Sequence, residues 1–240
     1  MVLSINYIYE DLEINYNMLV SQFDKSLFKL YNNIFGRRLK VIFNFLLILF
    51  IMTTNICSQI PLIFTSKRLK FEKVNKDHKF HLSKILSNEK VQEAYNTGDK
   101  ESFTNIESQF SIIEAQWQKY GYGLYILFNN ETFDFIGFAG YHTVTIDKEG
   151  NVDCFNNNKS NDLELYIILM PQYWRQGYGF EAVSKLCEIA FKHSSFTSII
   201  AYIEPKNYAS IALIEKFNCK KEKKVIYNNK PHILYRIYKS

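Results

Sequence analysis

Beyond Ser66 the apolar and polar positions follow two rhythms, one of period two and one near 3.6, in an order that predicts a mixed α/β domain. Arg68–Val74 alternates at period two and predicts a first strand. From about Lys79 to Tyr95, and from about Lys100 to Lys119, apolar residues recur at helical spacing. Gly121 and Gly123 stop the second of these helices. Leu124–Phe128 and Phe135–Ile146, with a turn around Asn129 and Asn130 between them, predict an antiparallel pair. The polar, Asn-rich stretch Asp147–Asp162 predicts a loop or loose hairpin. Leu163–Leu169 then reads as a strand, about Phe180–His193 as a helix and Ser198–Ile203 as a strand. After Glu204–Asn207 a short helix runs to about Phe217. Lys221–Tyr227 and Ile233–Tyr238 close the chain as two strands around Asn228 and Asn229.

The N-terminal part has another character. Val41 to Ser66 contains no charged residue, and Val41–Met52 is strongly apolar. A spanning helix needs roughly 20 mainly apolar residues, whereas this run dilutes into Thr53–Asn55, Ser58, Gln59 and Pro61. Three readings stay open: a membrane anchor, an appended helix that packs or dangles, and an extension upstream of a functional start at Met52. A cleaved secretory signal does not fit, because the run lies behind forty residues of mixed charge. Arg37, Arg38 and Lys40 precede it and Lys67, Arg68 and Lys70 follow it, so flanking charge sets no orientation. The chain thus divides into an extension, 1–59, and a domain, 60–240.

Composition narrows the class. At 47% hydrophobic and 22% charged the chain can build a full core. The net charge of +5 is spread along the chain and does not interleave with aromatics, which argues against nucleic acid and suits an anionic small ligand. Cys57, Cys154, Cys187 and Cys219 form no C-x-x-C pair, as expected for reduced structural thiols. The histidines are read as standing apart from the carboxylates, and no metal site is expected.

The most informative chemistry lies in Tyr173–Ala182. Only nine glycines serve 240 residues, and Gly177 and Gly179 fall two apart between an apolar strand and an amphipathic helix. That order converges backbone N–H groups at a helix N-terminus, where a phosphate binds. A dinucleotide or P-loop reading fits poorly, since no third loop glycine and no G-x-x-x-x-G-K-[ST] is present.

In this setting the chain from about Pro61 onward resembles the GCN5-related N-acetyltransferases (GNAT), in the branch of the ribosomal-protein N-terminal acetyltransferases. Thr65–Phe71 resembles that branch's first strand; Gln116–Trp117 with Tyr120–Gly123 its helix-to-strand junction; and Ile136–Gly137 its third strand. Leu163–Ala182 resembles the central strand and pyrophosphate loop, and Asn207–Asn218 the Asn-containing helix that follows. The chain departs from the pattern in three places. Trp174 stands at the first loop position, Asn218 replaces the glycine that ends the Asn-helix, and Ile214 falls where many members carry a general-acid tyrosine. Asn218 is expected to take the left-handed cap conformation.

The resemblance implies a central, mostly antiparallel sheet splayed at two parallel strands, flanked by helices. It also implies acetyl transfer from acetyl-CoA to a primary amine, on a protein N-terminus or a small molecule, without a metal. Backbone N–H groups of Arg175, Gln176, Gly177, Tyr178 and Gly179 would hold the pyrophosphate, with the two glycines allowing close approach. Backbone groups of Ile168, Leu169 and Met170 would pair with the pantetheine arm, and Asn207 would contact it or cap its own helix. Glu164 is the candidate base and Ser210 the candidate hydroxyl near sulfur, while Trp117, Tyr120 and Tyr166 are candidate acceptor-lining aromatics. Such an enzyme belongs in the cytoplasm, or on a membrane with residues 60–240 facing the cytosol, where acetyl-CoA is found. The alternative function is a catalytically weak CoA-binding sensor or interaction module with the same fold.

Overall fold

The computed structural model describes residues 60–95, 105–153, 162–194 and 196–239. All lie within one compact unit, Cys57–Ser240. The apolar run Val41–Met52 lies outside the described residues, and among those described no helix is long and apolar enough to cross a membrane.

The elements in chain order are β1 (Ile63–Thr65), β2 (Leu69–Lys73), α1 (Lys79–Leu86), α2 (Glu89–Tyr95), α3 (Ile106–Tyr120), β3 (Leu124–Asn129), β4 (Phe135–Ile146) and β5 (Val152–Asp153). Then come β6 (Asp162–Leu169), α4 (Tyr178–His193), β7 (Ser198–Ile203), α5 (Tyr208–Ile214), β8 (Cys219–Tyr227) and β9 (Lys230–Tyr238). The expected elements are present, with local differences. The helix expected over 79–95 is two helices, because Asn88 caps the second: its Oδ1 accepts from Val91 N–H at 3.2 Å. The loop expected after Asp147 begins as a short hairpin, β5 on the end of β4; its remainder, 154–161, lies outside the described residues. The expectation for Asn218 fails. It is absent from the left-handed residues, and α5 already ends at Glu215 in right-handed geometry. The left-handed turn falls instead at Asn228 (φ 47°) and Asn229 (φ 57°), which join β8 to β9 as the sequence anticipates.

One sheet runs in the order β1-β2-β3-β4-β6-β7-β9-β8, with β5 on β4. Its pairings are antiparallel except β6 with β7. Strand β6 pairs β4 along its whole length, from Asp162↔Val144 to Leu169↔Gly137. With β7 it pairs only at Leu163↔Ile199 and Glu164↔Ile200. Beyond that point the two parallel strands diverge.

Helices cover both faces. The Tyr141 hydroxyl donates to Leu186 O of α4, and α4 buries Ala182, Val183, Leu186 and Ala190 against that face. His81 of α1 packs on Phe128, which points to the opposite face from Tyr125 and Tyr141. Cys187 is buried on the inner side of α4, where desolvation pushes its thiol up to about 12, so it acts as a packing group.

The centre of the sheet is packed backbone to backbone. A Cβ on Gly140 would lie 2.3 Å from Gly123 O and 2.8 Å from Leu124 Cα. Gly140→Ala is expected to destabilise the domain by about 1–3 kcal/mol, seen as a lower urea midpoint. An unchanged midpoint would show that β3 and β4 separate without cost.

Candidate active site

The site is assembled where β6 and β7 part. Met170 N–H donates to Ile136 O at 2.9 Å. Hydrogen-bonded residues alternate along an antiparallel ladder, so Ile168, Tyr166 and Glu164 also turn their backbone groups toward β4. Leu165, Ile167 and Leu169 turn theirs toward β7 and the opening. This corrects the sequence-based trio: Leu169 faces the splay, while Ile168 and Met170 face the other way. The sequence could not show this, because the parity of a strand is fixed by its partner.

The loop after β6 is held at both ends. The Trp174 indole N–H donates to Leu169 O at 2.7 Å, so the residue that departs from the family pattern ties the loop to its strand. Arg175 (φ 60°) and Gly177 (φ 85°) are both left-handed, which turns successive N–H groups inward. The first bond within α4 runs from Glu181 N–H to Gly177 O at 3.1 Å. The N–H groups of Tyr178, Gly179 and Phe180 precede it and point out of the helix start, where the macrodipole is positive. Gln176 Nε2 donates to Gln172 O at 2.5 Å, and the Tyr178 ring is buried against Tyr173.

The two glycines do different work. Gly177 supplies the left-handed turn. Gly179 is an ordinary helical residue, and an added Cβ would lie in ordinary contact with the Leu213 side chain of α5, at 3.4 Å.

Sequence reasoning missed the partner of this loop, the turn between β1 and β2. Glu181 Oε1 accepts from Arg68 N–H at 2.6 Å and from the Ser66 hydroxyl at 2.7 Å, and its Oε2 accepts from Arg68 Nε at 2.7 Å. Arg68 Nη1 donates to Gln176 O at 3.1 Å, and its guanidinium lies 4.0 Å from the centre of the Tyr178 ring. Burial acts to raise the Glu181 carboxyl, but these donors and the Arg68 charge outweigh it and hold the group below its usual value.

At the other end of the splay Glu164 is buried, 6% exposed, and its Oε2 has no hydrogen-bond partner. The register of β4 with β6 places His142 opposite it, with Nδ1 at 3.6 Å from Oε2, beyond hydrogen-bond length. The His142 ring stacks on Tyr166 at 5.1 Å. Burial, with Glu164 adding to it, pushes the Tyr166 phenol well above its usual value, so it stays neutral. The expectation that histidines stand apart from carboxylates therefore fails here, because cross-strand neighbours are invisible to spacing along the chain. Of the other two aromatics, Trp117 is core, its indole N–H bonded to Leu124 O at 3.0 Å, and Tyr120 stacks on Tyr122.

On α5, Asn207 Oδ1 accepts from Ser210 N–H at 3.1 Å, so Asn207 caps its own helix. Ser210 stands in the first turn, half-buried, and Ile214 is buried in the core. Among the described residues no group of three or more His, Cys, Asp or Glu is arranged to hold a metal.

Residues 68–220 match the acetyltransferase (GNAT) domain family. The chain belongs to the GNAT acetyltransferase family. The protein YkkB of Bacillus subtilis (strain 168) is 27% identical over 116 residues, 48% of this chain and 61% of YkkB. The match thus spans less than two thirds of that relative. The uncharacterized N-acetyltransferase YoaA of the same strain is 24% identical over 137 residues, 57% of this chain and 71% of YoaA. Among solved structures, AAC(6′)-Ib in complex with paromomycin and acetyl-CoA superposes with a TM-score of 0.59 at 16% identity. That likeness covers 72% of this chain and 94% of the other, and shows the shared fold.

The depressed Glu181 carboxyl has a consequence for stability. A group whose folded value lies below its unfolded one stabilises in full above the ordinary carboxylate range and loses that contribution as pH falls through the folded value. Glu181→Gln is therefore expected to be less stable than the native protein at neutral pH. The gap should close between about pH 5 and pH 3 in denaturant midpoints; a gap independent of pH would contradict the charge-assisted account.

Proposed function

We propose that the GNAT domain transfers an acetyl group from acetyl-CoA to a primary amine by direct attack within a ternary complex. The observation that carries this reading is the divergence of β6 from β7, with a phosphate-type nest at one end and, at the other, a buried carboxylate whose Oε2 accepts no hydrogen bond. The residues fit the donor. The N–H groups from Arg175 to Phe180 suit a pyrophosphate, and the backbone of β6 that faces the splay suits an amide-bearing arm. Bound acetyl-CoA supplies an activated thioester.

The chain's residues then manage orientation and protons. Buried Glu164 draws in a protonated amine, since a carboxylate oxygen without a donor is costly until a cation or N–H reaches it. It takes one proton from the ammonium before attack, which frees the nitrogen lone pair; the C–N bond then forms, the C–S bond breaks, and the second N–H proton passes to the leaving thiolate. Ser210, in the first turn of α5, is the candidate to protonate the departing sulfur. The stacked rings of Tyr166 and His142 wall the amine's approach beside Glu164. The acceptor class that suits this end is a cationic amine, as AAC(6′)-Ib binds in paromomycin.

Calorimetry of the full chain is expected to show binding of acetyl-CoA, and Gly177→Glu to abolish it by placing a strained, negative side chain in the nest. No binding by the native chain, or equal binding by the variant, refutes the donor assignment. With an acceptor found by thiol release over a panel of amines and peptides, Glu164→Gln is expected to lower kcat about 10- to 100-fold. Acetyl-CoA affinity should be unchanged, because positioning retains the rest of the acceleration. An unchanged kcat would remove Glu164 as the base.

A further inference from the structure

Placing a carboxylate in the first turn of an anion-binding helix is a conflict. Glu181 complements the helix dipole, yet its charge stands three residues from Tyr178, beside the nest, where it repels the phosphate that the nest is shaped to take. The structure resolves the conflict through Arg68. The guanidinium neutralises Glu181 through Nε, and the backbone N–H of the same residue turns the other carboxylate oxygen toward the β1–β2 turn. The same fork reaches the loop itself, with Nη1 on Gln176 O and Nη2 beside Gly177, 3.4 Å from where a Cβ would stand. Gln176 lies between the two left-handed residues, so a bond to its carbonyl pins the peptide whose orientation decides where the nest points.

Among the described residues, the Arg68 side chain reaches four members of this segment: Gln176, Gly177, Tyr178 and Glu181. The turn carrying Arg68 is itself anchored. Ser66 N–H donates to Leu69 O at 2.8 Å, and Asn130 binds both Ser66 O, through Nδ2 at 3.0 Å, and Arg68 O, through its N–H at 2.9 Å. A planar fork with several fixed donors can hold a carboxylate, a carbonyl and an aromatic face at once. Lysine, a single point of charge, cannot.

We infer that Arg68, from the β1–β2 turn, is a positioning residue for the donor site: it fixes the Gln176–Gly177 peptide and screens Glu181 from the incoming phosphates. The inference rests on the acetyl-CoA reading above and makes the β1–β2 turn part of the pyrophosphate-binding unit. It implies that Arg68 and Glu181 act as one switch of charge. Removing Arg68 alone loosens the loop and also uncovers a negative charge at its mouth. Removing both leaves only the looser loop.

The test is equilibrium binding by the full chain, with coenzyme A measured by calorimetry and pantetheine, which lacks the pyrophosphate, by NMR titration. Arg68→Ala is expected to weaken coenzyme A about tenfold or more, the cost of a charge-assisted contact, while pantetheine changes by less than about twofold. The double variant Arg68→Ala, Glu181→Gln is expected to regain about threefold or more for coenzyme A over Arg68→Ala alone. Arg68→Lys, the milder change should the alanine variant fold poorly, is expected to bind coenzyme A with an affinity between native and Arg68→Ala. Native-like binding of coenzyme A by Arg68→Ala or Arg68→Lys overturns the inference. So does equal weakening for both ligands, or further loss in the double variant. Failure of the native chain to bind coenzyme A refutes the acetyl-CoA reading, and the inference with it.

Discussion

A strand can spend its backbone groups on a neighbour at each edge, and β6 does so fully on one side only. Against β4 it is paired from end to end; against β7 it is paired for two residues and then released. The release is fixed from outside, because β7 follows β9 along its whole length and β6 follows β4. Two well-ordered sheet halves therefore meet at a short parallel contact and diverge from it. The cleft, the loop at its mouth and the carboxylate at its root all follow from that geometry. A buried backbone edge normally finds partners, so an edge left open in a rigid sheet is suited to an extended ligand that brings its own amides.

Charge is distributed along this cleft with opposite signs at its two ends. The mouth is positive through the start of α4 and its orphan N–H groups, and Arg68 cancels the one carboxylate placed there. The root holds the Glu164 carboxyl, whose Oε2 no cation among the described residues meets within hydrogen-bonding distance. A thioester donor with an anionic handle and a cationic amine acceptor would enter from these ends and meet between them. The GNAT family supplies the reaction class; the polarity of this cleft would give each partner its place.

Much of this could be read along the chain. Period-two and period-3.6 patterns gave the strands and helices within a few residues, since side chains of each element must face one core. Gly177 marked the loop before α4, and the paired asparagines marked the final hairpin, since both residue types suit tight turns. Asn88 carried the break between α1 and α2 as a cap, a signal present in the sequence but outweighed by the continuous apolar pattern around it.

Other features depended on residues brought together only by folding. Gly179 also lies beside the Leu213 side chain of α5, a neighbour that only folding supplies. The backbone parity of Ile168, Leu169 and Met170 was set by Ile136 on another strand, and His142 reached Glu164 through a strand register. Arg68 and Glu181 are separated by more than a hundred residues, yet they share a carboxylate at hydrogen-bond length. The sequence by itself determined the elements, the glycine turn before α4 and the resemblance to a family, because these depend on local conformation and periodicity. Only the tertiary structure decided which backbone edge is open, which charge is cancelled and which carboxylate is left waiting, because each is a relation between segments that the chain keeps far apart.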